Sequence, residues 1–295
     1  MNIIVTGGAG FIASHVVDRL IDAGHHVAVI DNLSTGVKEN LNPKASFYNL
    51  DIKDDLSEVF NKERPEAVLH FAAQINVRES IKDPVRDAKE NILGSLNVFE
   101  NCQKFNVKRV VFSSTGGAIY GDAKIIPTPE DYPASPLSPY GVAKMAVEKY
   151  LSLYPFESLI LRFANVYGPR QIAKGEAGVV AIFSENIARQ KEVVINGDGN
   201  QTRDFVFVSD VAEACLKGLF FSGLYNIGTQ KETSVNELFE LMKTKGAEYI
   251  FGEAQKEVQR SCLDISKAKK ELGWSPKFSL DQGLKLTVDW LNEVE

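Results

Sequence analysis

The chain has 295 residues, 44% of them hydrophobic and 24% charged, with a net charge of −6. That length suits one large or two ordinary domains with a packed core, and the acidic balance argues against nucleic acid as the main partner. Cys102, Cys215 and Cys262 are widely separated and odd in number, so they offer neither a disulfide framework nor zinc spacing; a reducing, cytoplasmic setting and no metal are expected. The chain enters Asn2-Ile3-Ile4-Val5 without a basic, apolar leader, and no apolar run approaches a membrane span, so no signal peptide and no membrane partner are expected.

Asn2 to Thr6 reads as a buried strand, followed by the turn Gly7-Gly8-Ala9-Gly10 and a helical pattern from Phe11 to about Ala23, where Gly24 stops it. His26 to Ile30 is a second buried strand, ending at Asp31. Gly8, Gly10 and Ala13 satisfy the G-x-G-x-x-G/A pattern between strand and helix. The glycines permit a tight turn and let a pyrophosphate approach N–H groups at a helix N-terminus. Asp31 is placed to accept hydrogen bonds from an adenosine ribose, and its charge would repel a 2′-phosphate, which favours NAD over NADP.

The alternation continues with a strand from Ser46 to Leu50 ending in Asp51-Ile52, a helix through Leu56 to Lys62, and a strand from Ala67 to Phe71. A long helix from about Val85 to Phe105 precedes the strand Arg109 to Ser113, and Ser158 to Phe163 is the next strand. The fold class is therefore α/β, a doubly wound parallel (Rossmann) sheet. Ligands on such sheets bind beyond the carboxyl ends of the strands, so Asp51, Ala72-Ala73, Ser113-Ser114-Thr115 and Asn165 should line one crevice with the glycine turn.

Between the last two strands lies Ser138-Pro139-Tyr140-Gly141-Val142-Ala143-Lys144. Ser138 can cap a helix there and Pro139 suits its first position, which sets Tyr140 and Lys144 on one face. An ammonium beside a phenol favours phenolate, and lowering the phenol by roughly three units needs about 4 kcal/mol of differential interaction. The product would be a general base working near neutral pH. A solvated i,i+4 pair is the plain alternative.

After Asn165 the texture changes to a glycine-rich polar loop, a helix from Val179 to Arg189, a strand from Val193 to Asn196 and the turn Asn196 to Asn200. Residues 1–165 read as the dinucleotide-binding domain and 166–295 as a smaller C-terminal α/β substrate domain. The latter takes in Leu224 to Gly228 and helices near Val235 to Lys243, Ser266 to Leu272 and Leu280 to Asn292, with a return of Arg203 to Gly218 to the first domain left open.

The quoted stretches carry a resemblance over nearly the whole chain. With Thr6 to Ile12, Asp31-Asn32-Leu33, His70 to Ala73 and Tyr140-x-x-x-Lys144 come Arg162 to Arg170, Gly197-Asp198-Gly199, Arg203-Asp204-Phe205, Asp264 to Ala268 and Glu271 to Trp274. The chain resembles the extended short-chain dehydrogenase/reductase superfamily, and within it the UDP-glucose 4-epimerase family. The resemblance implies Tyr140 as catalytic base, Lys144 as its partner, and Thr115 as the hydroxyl on the reacting sugar, with Ser114 as the alternative because Gly116-Gly117 lengthens the run before Tyr120. For NAD it implies Gly7, Gly10, Phe11 and Ile12; Asp31, Asn32, Ser34, Thr35 and Gly36; Asp51 and Ile52; Phe71, Ala72, Ala73 and Gln74; and Asn91, Ser113 and Ala164 beside Tyr140 and Lys144. For a UDP-sugar it implies Thr115, Tyr140, Asn165, Val179, Val194, Asn196, Arg203 and Ser261.

The reaction so implied inverts C4 of a UDP-hexose through a 4-keto sugar, with NAD regenerated in each turnover. A homodimer is implied through the helices near Val85 to Phe105 and at Tyr140, whose apolar positions Ile92, Leu96, Val98 and Phe99 also suit a core within one chain. The chain departs from the family's pattern at Ile75, where some relatives have a cofactor-holding lysine, and at Ala254-Gln255-Lys256-Glu257, where many have a diphosphate-binding arginine. Arg170, Lys256 and Arg260 are the candidates to replace the latter. A dehydratase or decarboxylase on the same scaffold is the alternative reaction, disfavoured because Gly116-Gly117 stands where dehydratases carry Asp-Glu. A catalytically silent sensor is disfavoured because both Tyr140 and Lys144 are present. A small residue at Ser261, where these epimerases often have a bulky one, should leave room for an N-acetyl group.

Overall fold

The strands of the main sheet form where the sequence has apolar residues at every position, because both faces are covered. In the first strand, β1 (Asn2–Thr6), Ile3 and Val5 enter the core on one side and Ile4 the core on the other. The computed structural model describes residues 1–173, 178–244, 247–255 and 257–294. Within these, β2 (His26–Ile30), β3 (Ser46–Tyr48), β4 (Ala67–His70), β5 (Arg109–Thr115) and β6 (Glu157–Phe163) join β1 in a parallel sheet completed by a seventh strand, Gly223–Ile227. The spatial order is the seventh strand, then β6, β5, β4, β1, β2 and β3. The order reverses between β1 and β4, so the loops leaving these two strands diverge and open a crevice at their carboxyl ends.

One core packs helices Phe11–Asp22, Val208–Gly218 and Ser266–Glu271 on the sheet, with Leu20, Val211, Ala268 and Trp274 fully covered. The other packs helices Ser57–Glu63, Gly94–Lys104 and Pro139–Leu151, through Phe60, Phe99 and Val147. A third core, with Tyr167, Phe183, Ile195, Phe205 and Phe239, joins helices Val179–Ala188, Val235–Met242 and Leu280–Val294 to a parallel strand pair, Val193–Asn196 with Tyr249–Gly252.

Three sequence expectations differ from the structure. Leu224 to Gly228, expected in the smaller domain, supplies the seventh strand of the main sheet, pairing Leu224 with Ile160 and Ile227 with Phe163. The helix at Ser266, expected with it, lies on the main sheet, since Ile265, Ala268 and Leu272 belong to the first core. The long helix near Val85 is interrupted: Pro84–Ala88 runs into one wide π turn, Lys89–Leu93, before Gly94–Lys104. Helix Val208–Gly218 returns to pack beside Phe11–Asp22 on the sheet. Among the described residues no helix is long and apolar enough to cross a membrane.

Candidate active site

The glycine turn is shaped by close contacts on two sides. Gly7 has φ +72°, and a Cβ there would stand 2.8 Å from the backbone nitrogen of Ala72. A Cβ on Gly8 would meet Val29 at 2.7 Å. The turn also leans on Asp31, which is buried at the end of β2: Ala9 N–H donates to Oδ2 at 3.0 Å and Leu33 N–H to Oδ1 at 2.8 Å. Gly36 packs against the same carboxylate, where a Cβ would lie 2.8 Å from Oδ1. Asn32 donates to Asp51 at 2.9 Å, tying the ends of β2 and β3 together. Ser34 N–H donates to Asn32 Oδ1 at 2.9 Å. No side chain caps helix Phe11–Asp22, so the N–H groups of its first turn are left for an anion. This cradle, with a carboxylate at the end of β2, fits a dinucleotide.

The end of β4 is fixed by a buried chain of hydrogen bonds. Phe71 and Ala72 N–H groups donate to Thr6 Oγ1, both at 3.2 Å, and Thr6 Oγ1 lies 2.7 Å from His70 Nδ1. His70 Nε2 lies 2.8 Å from Ser95 Oγ, which donates to Asn91 O at 2.5 Å. The direction of the chain requires a neutral ring with its proton on Nε2. Complete burial, with the Lys144 ammonium nearby, lowers His70 to about 3, so the ring stays neutral. Asn91, placed by the π turn, then grips the next loop through Gln74 N–H (2.8 Å) and Gln74 O (2.9 Å).

The Tyr140 helix begins as its sequence dictates: Ser138 Oγ accepts from Gly141 N–H at 3.2 Å and Pro139 takes the first position. The orphan N–H of Tyr140 donates to buried Ser80 Oγ at 3.2 Å. Lys144, one turn on, is 4% exposed; its Nζ donates to Ser113 O at 2.9 Å and lies 4.8 Å from the centre of the Phe112 ring and 6.0 Å from that of Tyr140. Burial lowers Lys144 to about 8, against the Asp87 and Glu148 carboxylates that raise it. The Tyr140 phenol goes the other way from the sequence expectation. Burial pushes it up, and Asp87 adds to the rise, so in the protein alone Lys144 does not make it a phenolate.

The two candidate hydroxyls face opposite sides of β5. Ser114 is buried and donates to Glu148 Oε1 at 2.5 Å, within the buried pair of Glu148 and Arg162 (2.6 and 2.9 Å). Thr115, on the side of Ser113, accepts a long bond from Ala118 N–H, 3.3 Å, and caps the short helix Gly116–Ile119. A Cβ on Gly117 would lie 3.8 Å from Ser261 Oγ, so Ser261 stands across from the Thr115 turn.

Arg203, expected to contact the UDP-sugar, does not pair with the neighbouring Asp204. Arg203 reaches Glu257 at 2.5 Å and Thr202 O at 2.8 Å. Asp204 is fully buried: its carboxylate accepts from Thr229 N–H (2.7 Å) and Oγ1 (2.6 Å), Gln230 N–H (3.2 Å) and Leu263 N–H (3.2 Å). Its carbonyl accepts from Asn165 N–H at 2.8 Å. Asp204 thereby binds together the segments that carry Asn165, Arg203 and Ser261.

The remaining expected residues fall in two groups. Ile52 is buried after β3, and Ala73 and Ala164 follow β4 and β6, with Ala164 N–H on Ile227 O at 2.9 Å. Thr35 lies in the loop after β2. Val179 opens its helix, while Val194 and Asn196 share the outer face of their strand, where Val194 is 45% exposed. Of the candidates for the missing arginine, Arg170 pairs with Asp18 at 2.8 Å and Arg260 with Glu232 at 2.6 Å, and Lys256 lies outside the described residues. Sequence reading passed over Asp87 and Ser80, and quoted His70 without a role for its ring. The cap Asp83-Pro84 was a usable signal, since it starts a helix that puts Asp87 and Asn91 four apart on one face.

Fold and site together define a dinucleotide-dependent enzyme built on a doubly wound parallel sheet. Residues 3–228 match the NAD dependent epimerase/dehydratase family, and the chain belongs to that family. It is 41% identical to a UDP-glucose 4-epimerase of Mycolicibacterium smegmatis over 98% of both chains. Among solved structures it is similar to the UDP-glucose 4-epimerase of Thermotoga maritima with UDP-glucose, at a TM-score of 0.97 and 50% identity over 100% of this chain and 99% of that one. It is also similar to the UDP-N-acetylglucosamine 4-epimerase of Methanobrevibacter ruminantium M1 in complex with UDP-N-acetylmuramic acid, at 0.94 and 33% over 100% and 99%.

Proposed function

We propose that this chain is an NAD-dependent epimerase that inverts C4 of a UDP-hexose. The observation that carries the reading is the Tyr140–Lys144 helix, pinned by Lys144 to the Ser113 carbonyl at the crevice end of β5, beside a glycine turn built for a dinucleotide. When bound, NAD supplies the hydride acceptor and donor and a cationic ring whose charge lowers the neighbouring phenol. Tyr140 then takes the proton of the sugar 4-hydroxyl as the C4 hydrogen leaves with its electron pair. Thr115 holds the same oxygen. The 4-keto sugar turns over in the site, the hydride returns to the opposite face of C4, and Tyr140 gives the proton back to O4. Lys144 holds the cofactor ribose and supplies the positive potential for both transfers.

Gly116 and Gly117 leave no acid–base pair for loss of water, and dehydration is not favoured. Asn165 and Arg203 contact the diphosphate in this reading, with Arg203 released from Glu257 as substrate enters. Val179, Val194 and Asn196 belong to the nucleotide end. Ser261, opposite Gly117, leaves room for an N-acetyl group, so UDP-N-acetylhexosamines are substrates beside UDP-hexoses. The protein works as a homodimer in a reducing cytoplasm. Its dimer face is the outer side of the Pro84–Lys104 and Pro139–Leu151 helices, where Val85, Leu93 and Val142 are exposed, whereas Val98 and Phe99 are core residues with no exposed surface. Its three cysteines are buried and unpaired. The test is incubation with UDP-galactose, with and without added NAD, with products read by NMR. Formation of UDP-glucose supports the reading, and a 4-keto-6-deoxy product or no conversion removes it.

A further inference from the structure

Asp87 is 2% exposed, yet its carboxylate has no cationic side chain within ion-pair distance among the described residues. Its Oδ1 accepts from Gln74 Nε2 at 2.8 Å and from Asn91 Nδ2 at 2.9 Å. These amides are the ones that fix the loop after β4, since Asn91 also binds both backbone groups of Gln74. The helix that carries Asp87 packs on the Tyr140 helix, and Asp87 shares the lining of one groove with Pro139, Val142 and Ala143. A buried carboxylate held only by neutral amides is costly unless a cation stands close enough to offset it.

Other charged groups stand around the catalytic pair. From β4 comes His70, which is neutral. From the Tyr140 helix itself comes Glu148, already bound to Arg162 through both oxygens. The helix Val77–Lys82 brings Arg78 and the exposed pair of Glu79 with Lys82, at 2.7 Å. Lys144 is buried with a single backbone carbonyl as its hydrogen-bond acceptor among the described residues. Asp87 and Lys144 are thus two desolvated, opposite charges, set on helices that pack together.

We propose that Asp87 is the counter-charge of the catalytic pair, a positioning residue that holds Gln74 and Asn91 against the cofactor loop and offsets the burial of the Lys144 ammonium. The inference rests on the epimerase reading for its functional meaning, but its physical content belongs to the chain alone. Burial pushes the Asp87 carboxyl up while its two amide donors and Lys144 pull it down, and Lys144 is raised by Asp87 in turn. The carboxylate also opposes the Tyr140 phenolate, so it sets where both partners titrate.

The test uses the purified full-length protein with its bound NAD. Lysine labelled with 13C at Cε gives the Lys144 titration midpoint, assigned by its loss in Lys144→Met. Asp87→Asn keeps an oxygen for both amide donors and removes the charge. It is expected to lower the Lys144 midpoint by about one pH unit or more, and to carry the alkaline limb of the kcat profile down with it. Asp87→Glu is expected to return both toward wild type. The reciprocal arm reads the Asp87 carboxyl by 13Cγ labelling in Lys144→Met, where the midpoint should rise, and it stands if Asp87→Asn fails to fold. Unmoved midpoints in both arms overturn the proposal. Where the wild type turns over UDP-galactose, unmoved midpoints in the variants overturn Asp87 alone, whereas moved midpoints in a protein without turnover keep Asp87 and remove the epimerase reading.

Discussion

Ser114 and Thr115 are adjacent on one strand and point to opposite sides of the sheet, and that separates their effects. Ser114 donates to a carboxylate buried with its arginine. Ser114→Ala should cost about 1–3 kcal/mol in urea unfolding and leave kcat nearly unchanged where the variant is folded. Thr115→Ala should do the reverse, with a stability loss of about 1 kcal/mol or less for the weak cap and a kcat lower by roughly a hundredfold. A kcat loss in Ser114→Ala as large as that in Thr115→Ala would reassign the hydroxyl. Tyr140→Phe removes the proton carrier but no packing atom beyond the hydroxyl. It should fold, retain NAD and lose turnover by at least about a hundredfold; activity within a few-fold of wild type would mean another group moves the proton. Burial raises the Tyr140 phenol in the protein alone, with the Asp87 carboxylate adding to the rise, an environment that no local sequence pattern displays.

At the scale of elements, the strands Asn2–Thr6, His26–Ile30 and Val193–Asn196 lie where the apolar runs and their glycine or acidic boundaries put them. The helix at Tyr140 begins where Ser138 and Pro139 say it must. These signals are local, carried by residues within a turn of the boundary. The π turn at Lys89–Leu93 has no such signal, because its widening serves Asn91, whose partner Gln74 is 17 residues away. Asp204 shows the same limit: its donors Thr229 and Leu263 lie 25 and 59 residues on. The glycine turn is both legible and exacting. Gly7→Ala would need a positive φ and push a methyl into the backbone after β4. It should abolish NAD retention, measured by absorbance and mass spectrometry of the purified protein, at a cost of at least about 1 kcal/mol in stability. Full NAD occupancy in that variant would show that the β1 and β4 loops can part without loss of the site.

Taken as a whole molecule, stability depends on pH through His70. Its value in the folded protein, about 3, lies below the ordinary 6.5. Below pH 6.5 the unfolded chain therefore binds a proton that the folded chain refuses. The stabilisation present above pH 6.5 is lost as pH falls toward 3, at about 1.4 kcal/mol per unit. Between pH 7 and pH 5 the loss from this residue is roughly 2 kcal/mol. His70→Asn should be less stable than wild type at pH 7 but show a flatter decline to pH 5 in urea titrations; parallel declines would mean the ring is protonated in the fold.

The return of the chain to the main sheet has a consequence for how the protein is made. β6 is complete at Phe163, but the strand that covers its outer edge is Gly223–Ile227, and the core beneath needs Ile265, Ala268 and Trp274. A chain emerging from the ribosome therefore exposes an apolar edge from the time Phe163 appears until most of the remaining chain has followed. Unpaired parallel edges invite association with other chains. Release of residues 1–165 alone should yield an aggregating fragment, while the intact chain stays soluble. Cofactor site and sugar site would then mature together, late in synthesis, as parts of one cooperative unit.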